Sequence, residues 1–156
     1  MGIEIERKFL VQQEAWTVLQ KTLKGKQIQQ GYLSLVPERT VRVRIKNNQG
    51  YLTIKGKNQG IQRQEFEYKI PILEAQDLLQ LCEGSIIQKT RYSILIDQLE
   101  WEIDVFEGDN AGLIVAEVEL PSVDTKFSTP RWIAQEVSND PRYYNANLVQ
   151  HPFKDW

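Results

Sequence analysis

The strongest constraint on the fold is the two-residue alternation of side chains near the start of the chain. Glu4, Glu6 and Lys8 alternate there with Ile3, Ile5 and Arg7. Because side chains i, i+2 and i+4 of a β-strand point to the same face, a strand here carries two carboxylates and one ammonium group in a row. Such a row can hold a hard metal ion beside an anionic ligand. The simpler alternative is a half-buried strand with its polar face in water, which produces the same pattern.

The two-residue period returns in most of the chain and indicates a mainly β protein of the α+β class. Turn sequences such as Asn-Asn-Gln-Gly at residues 47–50 favour antiparallel hairpins. The predicted strands cover residues 2–11, 27–35, 40–46, 51–57, 61–70, 86–96, 99–106 and 113–120. An antiparallel sheet of about eight strands in one small domain tends to curl or close on itself.

Helical spacing of apolar residues is confined to short segments between and after these strands. Helices are expected over residues 12–23 and 71–82. After residue 120 the pattern indicates irregular and helical structure, with Trp132, Ile133 and Val137 on one helix face. A further short turn is expected at residues 145–150.

Composition limits the classes of protein and of site. A chain of 156 residues, 41% of them hydrophobic, is long enough for one domain, spanning residues 1–156. The sequence has neither a bilayer-length apolar run nor a signal-peptide pattern, so we expect a cytoplasmic protein without a membrane partner. A net charge of −2 argues against stable nucleic-acid binding. With Cys82 and His151 as the single cysteine and histidine, any metal must be held mainly by oxygen.

Charges of one sign recur in pairs on single strands. The acidic pairs are Glu4/Glu6, Glu102/Asp104 and Glu117/Glu119, and the basic pairs are Arg42/Arg44 and Lys89/Arg91, with Lys55 and Arg63 in addition. If these faces line the inside of a barrel, the clustered carboxylates need a divalent cation and the clustered cations need a polyanion. Mg²⁺ or Mn²⁺ with a chain of phosphoryl groups satisfies both sets. Cross-strand ion pairs on a wet surface are the alternative that needs no ligand.

At this point the sequence resembles a known family. Its opening Glu-Ile-Glu-Arg-Lys-Phe-Leu is similar to the E-x-E-x-K signature of the CYTH, or triphosphate tunnel metalloenzyme, superfamily. The resemblance continues in order through QGYL at 30–33, VRVR at 41–44, LTIKG at 52–56, EFE at 65–67, KTR at 89–91, WEID at 101–104, AEVE at 116–119 and DPRYYN at 140–145. It implies a closed eight-stranded antiparallel β-barrel with flanking helices, which forms a tunnel for triphosphate with Mg²⁺ or Mn²⁺, and often a homodimer.

The resemblance also implies roles for particular residues. Glu4, Glu6, Glu117 and Glu119 match the metal carboxylates, with Glu102 and Asp104 as further candidates, and Lys8, Arg42, Arg44, Lys55, Lys89 and Arg91 match the triphosphate-binding set. Lys8 is expected in catalysis together with Glu4 and Glu6. Arg63 and Glu65 either join this site or complete a cross-strand ion pair. Arg7 is expected on the outer surface, and Tyr32 and residues 140–145 are interpreted as packing and turn residues.

The expected reaction is metal-assisted transfer of a phosphoryl group to water. The resemblance to small bacterial members favours hydrolysis of inorganic triphosphate to pyrophosphate and phosphate. The alternatives are a class IV type adenylyl cyclase, a thiamine or nucleoside triphosphatase, and an enzyme acting on RNA 5′-triphosphate ends. An alternative of another class is a module that binds polyphosphate or nucleotides without turnover.

Overall fold

Eight antiparallel strands close into a barrel in the computed structural model, which describes residues 2–156. They are β1 (Gly2–Val11), β2 (Lys26–Ser34), β3 (Arg39–Lys46), β4 (Gln49–Gly56), β5 (Gln62–Ile70), β6 (Glu83–Ile96), β7 (Leu99–Phe106) and β8 (Ile114–Glu119). The order around the barrel is β5-β4-β3-β2-β6-β7-β8-β1, and a further pairing of β1 with β5 closes it. The predicted closed barrel is therefore confirmed.

Strand β1 closes the barrel because it pairs with two strands that are distant in sequence. Its first part pairs with β5, where Glu4 lies opposite Arg63. Its central part pairs with β8, where Glu6 lies opposite Glu119 and Lys8 lies opposite Glu117. The alternating residues of β1 therefore come into register with the charged residues of two neighbouring strands.

A ninth strand replaces the predicted helix after residue 120. β9 (Ile133–Glu136) pairs with β1 at Phe9 and Val11. The helical prediction was wrong because β1 continues beyond its pairing with β5, and this edge accepts a further strand. Trp132 and Val137 are both buried, but they belong to two different hydrophobic clusters and share no helix face.

The two predicted helices are confirmed and pack against the outside of the barrel. Helix α1 (Gln13–Gln20) buries Trp16 in the cluster that contains Trp101. Helix α2 (Ile72–Leu79) packs on β3 and β4 through Ala75. Gly50 is required at this contact, because a Cβ atom at this position would lie 2.7 Å from the Cβ of Ala75. Within residues 2–156, no helix is long and apolar enough to cross a membrane.

The barrel interior is apolar at one end and charged elsewhere. On the inward faces, Leu10, Ile87 and Val115 lie two positions away from Lys8, Lys89 and Glu117, respectively. The latter three belong to, or pack against, a hydrophobic cluster that includes residues of the C-terminal segment, among them Tyr143, Leu148 and Val149. This segment contains the short helix α3 (Asn145–Leu148) at the turn predicted for 145–150. The apolar core therefore lies outside and at one end, which leaves the rest of the interior to charged side chains.

Candidate functional site

The charged part of the barrel encloses a cavity of about 530 Å³. Its lining includes every candidate site residue named from the sequence except Asp104: Glu4, Glu6, Lys8, Arg42, Arg44, Lys55, Arg63, Lys89, Arg91, Glu102, Glu117 and Glu119. Among residues 2–156, nine Lys or Arg and seven Glu side chains line this space. The barrel thus brings together side chains from seven strands, and their summed formal charge is positive.

The carboxylates of β1 and β8 form the acidic wall, defined as Glu4, Glu6, Glu117 and Glu119. Burial, together with the charges of Glu117 and Glu4, raises the pKa of Glu6 well above its ordinary value. Burial also opposes ionisation of Glu117, but Lys8, Arg91 and Lys89 outweigh it, and a hydrogen bond from Glu6 lowers the pKa of Glu117 further. In this ligand-free state a proton on Glu6 relieves the repulsion between the two carboxylates.

Lys55 links a second pair of carboxylates beside this wall. Its Nζ atom lies 2.9 Å from Glu4 Oε2 and 3.2 Å from Glu65 Oε2. Burial disfavours the Glu4 carboxylate, but the charges of Lys55 and Arg63 outweigh it and hold its pKa well below the ordinary value. Burial and a hydrogen bond with Glu4 raise the pKa of Glu65 to about 7. Glu65, which the sequence left ambiguous, lines the cavity beside Arg63.

Asp104 holds two cations in place, and its position corrects its assignment as a candidate metal ligand. Its Oδ2 atom lies 2.7 Å from Lys89 Nζ, and Arg91 donates to both of its oxygens at 2.7 and 2.8 Å. Its exposed fraction is 1%, and it lies outside the cavity lining. Because both oxygens already accept hydrogen bonds from cations, we reassign Asp104 from metal binding to the anchoring of Lys89 and Arg91. Arg91 also contacts the partly exposed Glu102 at 3.1 Å.

A second anchor orients the arginines of β3. Glu67 Oε2 accepts hydrogen bonds from Arg44 Nη2 at 3.2 Å and from Thr53 Oγ1 at 2.9 Å. Arg42 Nη2 donates to the same hydroxyl at 3.2 Å. The buried Nε atoms of Arg42 and Arg44 have no hydrogen-bond partner within residues 2–156. Both guanidinium groups also line the cavity, where an oxyanion is a suitable partner for their remaining N–H donors.

Burial and crowding lower the pKa of two cations of the site, Arg44 and Lys89, and so make them stronger acids than usual. Burial lowers the pKa of Arg44 to about 10, and the charges of Arg42 and Arg91 contribute. Burial also lowers the pKa of Lys89 to about 8, although Asp104 opposes the shift. The nearby Arg91 shows the opposite balance, because Asp104 raises its pKa in spite of burial. An incoming polyanion therefore meets cations whose charges are only partly compensated.

Lys8 lies at the junction of the acidic wall and the C-terminal segment. Its Nζ atom is 3.6 Å from Glu117 Oε1 and donates to the carbonyl of Tyr143 at 3.2 Å. It also lies over the ring of Tyr144, 5.7 Å from the ring centre. The adjacent Arg7 lies on the other face of β1, where its Nε donates to Glu136 at 2.8 Å. This position agrees with the alternation of the sequence.

Sequence reasoning missed part of the cavity lining. Pro141, Tyr144 and Asn145 line the cavity, and so does Tyr32, so the interpretation of these residues as packing and turn residues alone is incomplete. Asp140 does form a surface turn, in which it accepts from Arg142. The further lining residues that the site assignment omitted include Lys46, Lys57 and Glu67. Lys46 shares the face of Arg42 and Arg44, so the two-residue period carried the signal that could have identified it, whereas nothing in the sequence distinguished the role of Asn145.

The donor set fits a hard divalent cation, although the site is not a preformed cage. Within the part of the chain that the structure describes, no three His, Cys, Asp or Glu side chains are arranged as a metal-binding group. Mg²⁺ usually takes only one or two carboxylates together with waters and substrate phosphates, so it does not need such a cage. Burial and the charge of Glu117 raise the pKa of Glu6, and a divalent cation would offset this repulsion. The carboxylates of the acidic wall are therefore suitable oxygen ligands.

Comparisons with known proteins agree with this geometry. The family model of the CYTH domain matches residues 2–152 of the chain. An inorganic triphosphatase from Acetivibrio thermocellus is 46% identical over 157 residues, which cover 100% of this chain and 99% of that protein. An inorganic triphosphatase from Nitrosomonas europaea is 37% identical over 150 residues, which cover 94% of this chain and 96% of that protein.

The fold is also found in a solved structure. The crystal structure of an inorganic triphosphatase matches this chain with a TM-score of 0.65 and 33% sequence identity. The match covers 96% of this chain and 95% of the other. The similarity therefore extends over the barrel and the C-terminal segment together.

Proposed function

The chain belongs to the CYTH domain family, and we propose that it is an inorganic triphosphatase, which hydrolyses triphosphate to pyrophosphate and phosphate inside the barrel. Two relatives that match nearly the whole chain carry this name. The single observation that supports the proposal best is the set of nine Lys and Arg side chains, among residues 2–156, that line one cavity inside the barrel. Phosphoryl oxygens are the ligands that such donors bind most strongly.

The basic residues bind and orient the substrate. Arg42 and Arg44 line the cavity and donate to phosphoryl oxygens through guanidinium N–H groups, while Glu67 and Thr53 keep these guanidinium groups in place. Lys89 and Arg91, held by Asp104, and Lys8, Lys55 and Arg63 complete the set. Because these cations are fixed before substrate arrives, they stabilise the charge that develops on the phosphoryl oxygens without reorganisation.

The acidic wall would hold a divalent cation, Mg²⁺ or Mn²⁺, through Glu4, Glu6, Glu117 and Glu119, with Glu102 nearby. Such an ion reduces the charge of the phosphates and lowers the pKa of a bound water. Burial and the charge of Glu117 raise the pKa of Glu6. A bound cation would offset that repulsion, so Glu6 would hold it as a deprotonated carboxylate. Lys8, beside Glu117, balances the remaining charge of this wall. The residues of this chain form no covalent intermediate in the proposed reaction.

A substrate panel tests the proposal. Phosphate release is measured for inorganic triphosphate, pyrophosphate, ATP and thiamine triphosphate, with Mg²⁺ or Mn²⁺, and the ATP reaction is also assayed for cyclic AMP. We expect the highest kcat/KM for inorganic triphosphate and poor turnover of pyrophosphate, which leaves some of the buried cations unpaired. Faster turnover of ATP with cyclic AMP as product would contradict the triphosphatase activity and support an adenylyl cyclase instead. Tight binding of triphosphate without any turnover would support a binding module instead.

The choice of metal, the homodimer and the cytoplasmic location stay predictions. The relative rates with Mg²⁺ and Mn²⁺ test the first. Light scattering of the purified protein tests the second, with a mass of about twice the 18.2 kDa of one chain expected.

A further inference from the structure

One amide side chain in the cavity has one half of its hydrogen-bonding capacity fixed and the other half free. Asn145 is the first residue of α3 and lines the cavity. Its Oδ1 atom accepts hydrogen bonds from Lys89 Nζ at 3.0 Å and from Gln30 Nε2 at 3.0 Å. Within residues 2–156, its Nδ2 group donates to no acceptor and is not fully enclosed.

The orientation of this amide is determined by chemistry. Lys89 has no lone pair, so the Asn145 atom that faces it must be the oxygen. Lys89 is itself held by Asp104 at 2.7 Å. The same argument fixes Gln30, which has no exposed surface and must turn its nitrogen toward the oxygen of Asn145. The Nδ2 group of Asn145 therefore points away from both partners.

We propose that Asn145 is a substrate-binding residue, whose Nδ2 group donates a hydrogen bond to a phosphoryl oxygen while Lys89 and Gln30 hold the amide in place. This assignment rests on the proposed triphosphatase function. The donor lies next to the ammonium group of Lys89, so one phosphate can contact both side chains. The hydrogen bond adds direction to an attraction that is otherwise a simple charge contact.

A neutral donor has a physical advantage in this part of the cavity. The neighbouring cations are already crowded, as shown by Arg44, whose pKa burial and the charges of Arg42 and Arg91 lower to about 10. A further cation would add to that repulsion before the substrate binds. An amide provides a hydrogen-bond donor without a charge.

The alternative is that Asn145 serves only as a tether between α3 and Lys89. Two substitutions separate the roles, because Asn145→Asp keeps the accepting oxygen and replaces the donor by a second oxygen, whereas Asn145→Ala removes both. For a substrate-binding residue, the Kd for inorganic triphosphate should rise about tenfold in Asn145→Ala, equivalent to about 1.4 kcal/mol, and about a hundredfold in Asn145→Asp. For a tether, Asn145→Asp should bind better than Asn145→Ala, since the carboxylate still pairs with Lys89.

Gln150→Glu is the matched control for the added charge. It places a carboxylate shortly after the same helix, at an exposed position outside the cavity lining. We expect its Kd to rise by no more than about threefold, because a screened charge without direct contact acts weakly. A rise as large as that in Asn145→Asp would overturn the proposal in favour of a general field effect.

The Kd values are measured by calorimetry with inorganic triphosphate in the presence of a chelator, and kcat and KM are measured separately with Mg²⁺. Melting temperatures check the fold, and Asn145→Ser is a second small replacement if the alanine variant is unstable. Equal Kd values for wild type and Asn145→Ala, or tighter binding by Asn145→Asp than by Asn145→Ala, would overturn the assignment. Absence of turnover by the wild type would instead contradict the proposed triphosphatase activity. The Kd values would still test whether Asn145 binds triphosphate.

Discussion

The two charged sides of the cavity solve the same electrostatic problem in different ways. On the basic side, carboxylates anchor the cations: the buried Asp104 holds Lys89 and Arg91, and the exposed Glu67 holds Arg44. On the acidic wall, burial and the charges of Glu117 and Glu4 raise the pKa of Glu6 and so favour its protonated form. The cations of the basic side are thus held in place before any ligand binds. On the acidic wall, protonation reduces the repulsion between carboxylates, and a divalent cation would take over that role.

This difference has a simple physical origin. A guanidinium or ammonium group can be neutralised by a carboxylate of the same chain and still present further donors to a substrate. A protonated carboxyl group lacks the negative charge that a metal ion needs, and a carboxylate whose oxygens all accept from cations has little capacity left for one. Permanent anchors are therefore compatible with phosphate binding, but a permanent partner for every acidic residue would prevent metal binding.

The largest effect should come from breaking the anchor of the basic side. Asp104→Asn leaves Lys89 and Arg91 buried without their shared carboxylate charge, so we expect the free energy of unfolding to fall by about 3 to 5 kcal/mol. Urea denaturation measures this change. Glu102→Gln is the control, because Glu102 contacts only Arg91 and its side chain is 30% exposed. It should cost less than about 1 kcal/mol, and an equal cost for both variants would contradict the anchor.

Removal of divalent metal should reveal the dependence of the acidic wall on a cation. With excess chelator we expect kcat/KM for triphosphate to fall by about a hundredfold or more, since roughly 3 kcal/mol of charge stabilisation is lost. The far-ultraviolet circular dichroism should not change, because Glu6 then takes up the proton that the metal replaces. Restoration of activity by Mg²⁺ or Mn²⁺ is the control. Full activity in the chelator would remove the metal from the proposed reaction.

The arginines of β3 should contribute to binding and little to stability. Arg42→Ala and Arg44→Ala should each weaken triphosphate binding by roughly 1.5 to 3 kcal/mol, the usual range for a hydrogen bond to a charged group. Their melting temperatures should change little, because each substitution also removes repulsion from the neighbouring cations. Arg7→Ala, which removes a cation from the outer face, serves as the control for net charge. Unchanged binding with a lower melting temperature would identify both arginines as structural ion-pair residues.

The barrel and most of the cavity lining were predictable from the sequence, because both depend on the two-residue period. Glu4, Glu6 and Lys8 alternate with apolar residues, and once the strand is part of a closed barrel, their shared face is the inner one. The role of Asp104 was not predictable, since the period places it on the same face as Glu102 but does not show which cations reach it. The strand pairing of Arg91 with Asp104 decides that point.

The C-terminal part was less predictable for a different reason. Ile133 lies in a strand because an edge of β1 was available, and that edge depends on where β5 ends. Asn145 enters the cavity because the segment that carries it packs on the apolar end of the barrel. Both are tertiary effects that local periodicity does not contain.

The smallest expected effect concerns Glu65, which lies beside Glu4 and Lys55. Its pKa rises from an ordinary 4.5 to about 7 on folding, through burial and the hydrogen bond with Glu4. Between these two pH values the unfolded chain loses a proton that the folded protein keeps, so stability falls as pH rises and is constant above pH 7. Glu65→Gln cannot ionise and should lack this loss. Because Glu65 is only partly buried, we expect the variant to be more stable than wild type by about 1 kcal/mol at pH 8 and equally stable below pH 4.5.

Urea unfolding in a chelator across this range measures the difference, with the exposed Glu14→Gln as control. The opposite result would be a free energy of unfolding that rises between pH 5 and pH 7 more in wild type than in Glu65→Gln. It would show that Glu65 is ionised and pairs with Lys55.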